Sequence, residues 1–244
     1  MAATELWLVD LDKTEQALET FEAATSRLSE DILLRLGEMG DETARRERRL
    51  AHIALRLLLE ARLGPGIRRV PFQRSATGKP SLADRQAAFS LAHTRGLALI
   101  AIGDSDPLGA DIERLRPVRV PEPRRAPIEA EAVVLAAGAP LAGDDADTRF
   151  LHAWVRTEAA AKAQGLGIGP FLERLRPGHA ASPETAVAPR PGAPSIVVHD
   201  VPMPGGVLAA IALAPGLAPP PLRTLPDTAD GLRTLLLAAE GTRR

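Results

Sequence analysis

Cysteine is absent from the chain. Disulfides, thiolate zinc sites, iron–sulfur clusters and cysteine nucleophiles are therefore excluded, and a reducing compartment is the natural expectation. Long apolar runs are also lacking, because segments such as Gly96 to Gly103 and Val207 to Leu213 are far shorter than the ~20 residues that cross a bilayer. Met1 to Asp10 lacks the basic start and apolar centre of a signal peptide. We therefore expect a soluble, cytoplasmic protein.

An excess of either charge is lacking too. The 30 basic residues balance 31 acidic residues, for a net charge of -1. No overall field would attract nucleic acid or an anionic membrane, so neither is expected as a partner and any anion site must be local. At 244 residues the chain can form one large domain or two modest ones.

Hydrophobic periodicity and turn residues predict a mixture of helices and strands. Strands are expected at 6–11, 89–91, 97–102, 108–112, 195–201 and 207–213. Helices are expected at 30–36 with Ser29 as the cap, at 42–63, more weakly at 128–137, and from about 148 to 164. The three strands between 89 and 112 are expected to form a meander, and residues 116–125 a loop. The Pro-rich end is expected to be irregular, with room for a short helix at 228–240.

The helix at 42–63 is predicted to have two different faces. Its apolar residues recur at intervals of three and four, and the opposite face is basic, with Arg45, Arg48, Arg49, His52 and Arg56. Two interpretations stay open for this basic face. It is either a solvated surface or a stripe that binds phosphate.

Two acids stand close together on a predicted strand. Asp111 and Glu113 are two residues apart, so both point to one side of the strand, about 7 Å apart. Like charges placed in this way need a cation, a proton or open water between them. The pair indicates either a metal site or a strand that faces solvent.

A third acid lies on the late helix. Glu158 and Lys162 are one turn apart on the same face. They form either a simple ion pair, worth about 0.3–0.5 kcal/mol, or part of a site. In a site, Glu158 would complete an oxygen ligand set for Mg²⁺, and Lys162 would hold a phosphate.

Two short segments earlier in the chain carry further candidates. Gly78-Lys79-Pro80 predicts a turn that displays a lysine, and Arg74 precedes it. His93 follows a predicted strand and precedes Thr94, which places it at the mouth of a loop, although a lone histidine is more often structural. No P-loop, dinucleotide glycine fingerprint or zinc-type histidine spacing is present.

Taken in order, these segments resemble the single-chain, surfactin-synthetase-activating type of 4′-phosphopantetheinyl transferase. The resemblance extends from about Leu6 to Leu213. The matching motifs are Gly78-Lys79-Pro80, Phe89-Ser90-Leu91-Ala92-His93-Thr94, Gly109-Ala110-Asp111-Ile112-Glu113, Trp154 to Lys162, Gly165-Leu166-Gly167 and His199 to Gly206.

The resemblance implies an α+β fold of two pseudo-twofold-related halves, 1–106 and 107–215, with coenzyme A in the cleft between them. Residues 216–244 would be a Pro-rich tail outside the shared fold. The implied activity is the transfer of 4′-phosphopantetheine from coenzyme A to a serine of an apo acyl or peptidyl carrier protein. Adenosine 3′,5′-bisphosphate is released, Mg²⁺ is the cofactor, and the enzyme is expected to be a monomer of the holo-[acyl-carrier-protein] synthase type.

The resemblance also implies a role for each matching residue. Asp111, Glu113 and Glu158 would hold Mg²⁺, and Glu158 or a water that it orients would deprotonate the serine. Lys162 would bind the pyrophosphate. The residues expected to bind coenzyme A besides Lys162 are Arg45, Arg48, Arg74, Gly78, Lys79, Pro80, Ser90, His93 and Thr94.

Two departures from the family pattern keep an alternative open. The family usually has serine where this chain has Ala92, and it favours lysine where this chain has Thr157. A hydroxyl donor and a positive charge are therefore missing or relocated, each worth about 1–3 kcal/mol of binding. The alternative is a degenerate module that binds coenzyme A or the carrier protein with little transfer. An unrelated magnesium-dependent phosphohydrolase would not explain the ordered motifs.

Overall fold

The computed structural model describes residues 4–75, 77–175 and 195–242, and these form an α+β protein, as expected. The strands are β1 (Glu5–Asp10), β2 (Gln73–Arg74), β3 (Pro80–Ser81), β4 (Ala88–Thr94), β5 (Leu97–Gly103), β6 (Leu108–Arg114), β7 (Val197–Asp200), β8 (Val207–Leu213) and β9 (Leu222–Thr224). The helices are α1 (Leu11–Ala24), α2 (Glu30–Gly37), α3 (Glu42–Leu63), α4 (Glu122–Leu135), α5 (Ala146–Ala163), α6 (Ile168–Glu173) and α7 (Ala229–Thr242), with one 3₁₀ turn at Pro65–Ile67. Within the described ranges, no helix has the length and apolar character needed to cross a membrane.

The first sheet has the order β4-β5-β1-β9 and packs against α3. Its strands are antiparallel except for β9, which runs parallel to β1. Helix α3 begins where the Asp41 side chain accepts a hydrogen bond from the Ala44 N–H, and it ends at Gly64, whose φ of 94° suits glycine. Burial of its apolar face against the sheet fixes the position of the basic face described above.

The second sheet has the order β6-β8-β7 and packs against α5. Alternation along β6 places Gly109, Asp111 and Glu113 on the face toward α5, since a strand presents every second residue to one side. Gly109 is required for the close approach of this helix: a Cβ there would lie 2.1 Å from the Ala159 carbonyl oxygen. The helix residues Glu158 and Lys162 are thereby held over β6.

The two sheets also pack against each other. An apolar cluster combines Leu6 and Leu99 of the first sheet with Ile112 and Ile211 of the second. Without β9, each sheet has three strands, and the one that comes third along the chain lies between the other two, in the orders β4-β5-β1 and β7-β8-β6. In each set a long helix, α3 or α5, precedes the strand that comes second along the chain. The two sheets therefore share one connectivity.

The predicted meander is wrong. Strand β6 pairs with β8 in the second sheet and not with β5, because β1 occupies the edge of β5 that a meander would need. Ser29 precedes α2 as expected, but its side chain makes no cap bond to the helix backbone. Its hydroxyl donates to Asp31 and accepts from Arg56, so the buried guanidinium takes the place of the helix N–H groups.

The expectation of an irregular C-terminal end is also corrected. Strand β9 pairs with β1, and α7 spans the segment for which a short helix was only an option. Leu225 and Leu232 enter the core of the first sheet. The sequence interpretation also missed α1 and started α4 too late, since α4 begins inside the predicted loop.

Candidate functional site

A cleft of about 430 Å³ gathers most of the predicted site residues. It is lined from α3, the β2–β3 hairpin, β4, β6, α5 and the segment that follows α5. The predicted residues in its lining are Arg48, Arg74, Gly78, Lys79, Pro80, Ser90, His93, Asp111, Glu158 and Lys162. Arg45, Thr94 and Glu113 are not part of the lining.

The acidic end of the cleft combines β6 and α5. The Lys162 Nζ lies 2.6 Å from Asp111 Oδ1 and donates to the Ala110 carbonyl oxygen at 3.2 Å. Burial raises the pKa of Asp111, and Lys162 opposes this rise. Burial also raises the pKa of Glu158, and the nearby Asp111 raises it further. A buried carboxylate, Asp111, and a half-buried one, Glu158, thus repel each other and share the neighbourhood of one ammonium group.

The third predicted acid lies at the edge of this group. Glu113 accepts a hydrogen bond from the Thr94 hydroxyl at 3.3 Å and lies 3.5 Å from the Arg116 guanidinium. Thr94 therefore contacts a predicted metal ligand, and its predicted contact with coenzyme A stays a prediction. Repulsion by Glu113 adds a smaller rise to the pKa of Glu158, after burial and Asp111.

The three carboxylates are not arranged as a metal site in this structure. Among the described residues, no group of three His, Asp or Glu side chains could hold a metal ion as it stands. Asp111 and Glu113 are paired with cations of the chain itself, Lys162 and Arg116. The chemistry of the set still fits Mg²⁺, which prefers carboxylate oxygens, and Asp111 and Glu158, whose pKa values are raised mainly by burial, line the same cleft.

The basic side chains of α3 do not share one role. Arg56 is buried and donates to the Ser29 hydroxyl at 3.0 Å. Arg45, Arg46 and Arg49 pair with acids, the first with Glu42 of the same helix and the other two with Asp12, Glu15 and Glu19 of α1. Arg48 and His52 line the cleft instead. Among the described residues, Arg48 has no hydrogen-bond or ion-pair partner, which leaves its charge available to an anion.

Two histidines accompany Arg48. Burial lowers the pKa of His52 to about 4, and Arg48 contributes to the shift. The pKa of His93 is lowered for the same two reasons, with burial again the larger. His52 was not among the predicted binding residues. Its signal was available in the sequence, because it follows Arg48 by four residues and so shares its face of α3.

The β2–β3 hairpin places Lys79 between the two sheets. Its Nζ lies 2.5 Å from Asp106 Oδ1 and donates to the Leu108 carbonyl oxygen at 3.2 Å. Arg74 donates to the Gly78 carbonyl oxygen within the hairpin, at 3.0 Å. Both cations line the cleft but have partners in the chain, so their contact with coenzyme A stays a prediction.

Ser90 joins the two sheets. Its hydroxyl accepts a hydrogen bond from the Ala110 N–H at 2.9 Å and lies 3.5 Å from the Ala110 carbonyl oxygen. The side chain is buried. Its observed role is structural, and a role in binding stays a prediction.

The family pattern has a lysine where this chain has Thr157, and the neighbouring Arg156 does not supply the missing positive charge to the cleft. Thr157 is fully buried and donates to the Ala153 carbonyl oxygen of its own helix at 2.7 Å. Arg156 is also fully buried and holds Asp200 through two hydrogen bonds of 2.7 and 2.8 Å. Arg156 does not line the cleft, so Lys162 is the cation that α5 supplies there.

Fold and cleft together define an α+β protein with a cleft that is lined by both acidic and basic side chains. No family model matches the chain. It is 33% identical over 192 residues to the 4′-phosphopantetheinyl transferase HetI of Nostoc sp., which covers 75% of this chain and 78% of the relative. It is 28% identical over 132 residues to a protein of Synechocystis sp. named as a candidate 4′-phosphopantetheinyl transferase, covering 51% and 52% of the two chains. The chain belongs to the 4′-phosphopantetheinyl transferase family, which confirms the resemblance at the level of the family.

Proposed function

We propose that this protein transfers the 4′-phosphopantetheine group of coenzyme A to a serine of an apo acyl or peptidyl carrier protein. The observation that carries the proposal is the cleft, whose lining combines the acids Asp111 and Glu158 with Lys162, Arg48 and His93. A substrate with a pyrophosphate and a separate 3′-phosphate requires positive charge at two places. Family membership supports the same reaction.

The shared connectivity of the two sheets supports two pseudo-twofold-related halves, 1–106 and 107–215. The cleft would then lie where the halves meet. Residues 216–244 would be an addition that returns to the first half. One chain supplies both sides of the cleft, so a monomer would suffice for the reaction.

In the proposed reaction, the serine oxygen forms a bond to the phosphorus that carries the pantetheine. The bond from this phosphorus to the bridging oxygen breaks, and adenosine 3′,5′-bisphosphate leaves with that oxygen. The serine proton passes to Glu158 or to a water that Glu158 orients, because its raised pKa makes it a stronger base than an exposed carboxylate. Lys162 would stabilise charge on the pyrophosphate.

Asp111, Glu113 and Glu158 would hold Mg²⁺, whose charge would offset that of the pyrophosphate. The rest of the catalytic effect would come from the position of the reacting groups in the cleft. Arg48 and His93 would bind the 3′-phosphate, with Arg74 and Lys79 available from the hairpin. A doubly charged phosphate needs several such donors.

The test is a mass measurement on carrier proteins. The purified protein is incubated with coenzyme A, Mg²⁺ and a panel of apo carriers, and a carrier whose serine is replaced by alanine is the control. We expect one phosphopantetheine to be added to at least one carrier and none to the control. The Asp111→Asn variant should bind coenzyme A in calorimetry but modify the same carrier far more slowly.

Ala92 and Thr157 favour a second candidate, a degenerate module that binds coenzyme A without transfer. If coenzyme A binds but no carrier gains mass, that candidate replaces the transferase. Full activity in the presence of a metal chelator would leave the transferase in place and contradict its Mg²⁺ dependence.

A further inference from the structure

Lys162 is paired with one of the two acids that line the cleft, Asp111. Its Nζ forms an ion pair with Asp111 Oδ1 at 2.6 Å and a hydrogen bond to the Ala110 carbonyl oxygen at 3.2 Å. The Asp111 side chain is only 9% exposed, so this ammonium group is its main source of positive charge. A buried carboxylate without such a partner would be costly.

The backbone sets this contact. Because Gly109 lets α5 lie directly on β6, Lys162 projects from the helix over the strand that carries Asp111. Glu158, one turn earlier on the same helix, lies near enough to both groups for each to shift its pKa. An ion held by Asp111 and Glu158 would therefore have to share their charge with Lys162.

We propose that Lys162 moves between two partners, Asp111 in the free protein and the pyrophosphate of coenzyme A in the complex, so that coenzyme A and the divalent metal bind cooperatively. The inference rests on the proposed function, and it adds an order of events to it. Metal alone binds weakly because it competes with an ammonium group already paired with Asp111.

Electrostatics gives the direction of the coupling. An ammonium group and a divalent cation on one carboxylate repel each other, and this repulsion is strong where water is scarce. The pyrophosphate offers Lys162 a second anionic partner in the same cleft, which would leave Asp111 free for the metal. By thermodynamic linkage, the metal must then raise the affinity for coenzyme A by the same factor.

Coenzyme A could also raise metal affinity by a simpler route, since its own phosphate oxygens can bind the ion. The two routes differ in their dependence on Lys162. If phosphate oxygens act alone, replacing Lys162 leaves the enhancement unchanged. If Lys162 exchanges partners, its replacement raises metal affinity in the free protein and removes most of the enhancement.

The experiment measures Mn²⁺ binding by electron paramagnetic resonance, with and without coenzyme A, for the wild type and Lys162→Met. We expect Lys162→Met to bind Mn²⁺ about tenfold more tightly than the wild type in the absence of coenzyme A, and the enhancement by coenzyme A to shrink by a similar factor. Arg149→Met is the matched control. Arg149 is an exposed cation on the same helix, so its loss changes the net charge equally without touching the cleft.

Circular dichroism confirms that each variant is folded, and Lys162→Gln repeats the test with a polar side chain of similar length. In the wild type alone, calorimetry of coenzyme A with and without Mn²⁺ must show the reciprocal gain in affinity. The inference is wrong if Lys162→Met binds Mn²⁺ no more tightly than the wild type, if Arg149→Met shows the same gain, or if the wild type shows no reciprocal gain.

Failure of this inference is distinguishable from failure of the proposed function. If coenzyme A binds and carriers are modified but the coupling is absent, the protein is a transferase in which Lys162 does not exchange Asp111 for the pyrophosphate. If no carrier is modified, the metal and coenzyme A titrations still decide whether Lys162 exchanges.

Discussion

Lys162 and Arg156 lie six residues apart on α5, and their different surroundings predict different roles, one in the cleft and one in stability. Lys162 lines the cleft and is partly exposed, whereas Arg156 is fully buried against Asp200. We expect Lys162→Ala to lower transfer by about a hundredfold or more. It should cost less unfolding free energy than Arg156→Ala, because it breaks one ion pair and one further hydrogen bond. Arg156→Ala should cost about 3 kcal/mol of stability, because it removes two hydrogen bonds to Asp200, which keeps His152, and leaves two carbonyl oxygens without this donor.

Urea unfolding and carrier modification, measured on the same two preparations, test this contrast. Equal losses of transfer in two equally stable variants would show that Arg156 supplies the charge missing at Thr157. The assignment of Lys162 to the pyrophosphate would then be wrong.

The proposed contact between His93 and the 3′-phosphate of coenzyme A can be tested by changing the ligand. Dephospho-coenzyme A lacks only the 3′-phosphate and should be a poorer substrate for the wild type. We expect the effect of His93→Ala on kcat/KM to be much smaller with this analogue, because the substitution and the missing phosphate remove the same interaction. A double-mutant-style cycle, with the ligand change on one axis and His93→Ala on the other, measures their coupling. Penalties that simply add would mean that His93 does not contact the phosphate and is structural.

His52 gives stability a pH dependence. Its pKa of about 4 in the folded protein is below the value of about 6.5 expected when unfolded, so the unfolded chain binds more protons between these values. Unfolding free energy should therefore fall as pH falls from about 6.5 to about 4 and be unaffected by this group above that window. His93 adds a slope of the same sign.

We expect His52→Gln to flatten the dependence by up to about 3 kcal/mol across the window. Urea unfolding at several pH values measures it. A slope equal to that of the wild type would contradict the burial of a neutral imidazole at this position.

At the scale of elements, the sequence predicted what depends on local patterns. Helix α3 and strand β8 have the predicted bounds, because a regular apolar face and clear turn residues define both. Pairing between strands could not be predicted in this way. The alternation in β6 is the same whether its partner is β5 or β8, and only the position of β1 decides between them.

The candidate site shows the same division. Residue types and spacing indicated Asp111, Glu158 and Lys162, which one helix and one strand bring together. The partners of Arg45 could not be inferred, because local charge patterning gives no information about which residues the arginine will contact in the folded structure.

Gly109 tests how far the site depends on the approach of α5 to β6. A Cβ there would lie 2.1 Å from the Ala159 carbonyl oxygen and 2.5 Å from the Ala163 nitrogen, so the helix would have to move. We expect Gly109→Ala to cost about 1–3 kcal/mol of unfolding free energy and to lower transfer, since Glu158 and Lys162 move with the helix.

Gly205→Ala is the matched control. A Cβ at Gly205 would meet no atom within 4 Å, so this variant should behave like the wild type in urea unfolding and in carrier modification. If Gly109→Ala matched it in both measurements, the packing of α5 on β6 would not depend on the missing side chain.

At the scale of the whole molecule, the C-terminal segment connects the second sheet back to the first. After β8 the chain returns to add β9 to the open edge of β1, and α7 then packs on α3 and α1. Arg223 of β9 lies over the Trp7 ring, 5.4 Å from its centroid. As far as residue 242, where the description of the chain ends, this segment shares no residue with the lining of the cleft. It should therefore affect stability more than chemistry.

Two leucines of α7 provide the test. Leu232 is fully buried in the core of the first sheet, whereas Leu237 is 59% exposed on the same helix. We expect Leu232→Ala to lower the free energy of unfolding by about 2–4 kcal/mol, through lost burial and the cavity that remains. Leu237→Ala should change it by less than about 0.5 kcal/mol, because the side chain is largely in water.

Urea unfolding measures both, and kcat/KM for carrier modification should be unchanged in both variants under conditions where they are folded. Equal stability of the two variants would mean that α7 does not contribute to the core. A loss of transfer in folded Leu232→Ala would mean that the C-terminal segment affects the cleft as well as stability.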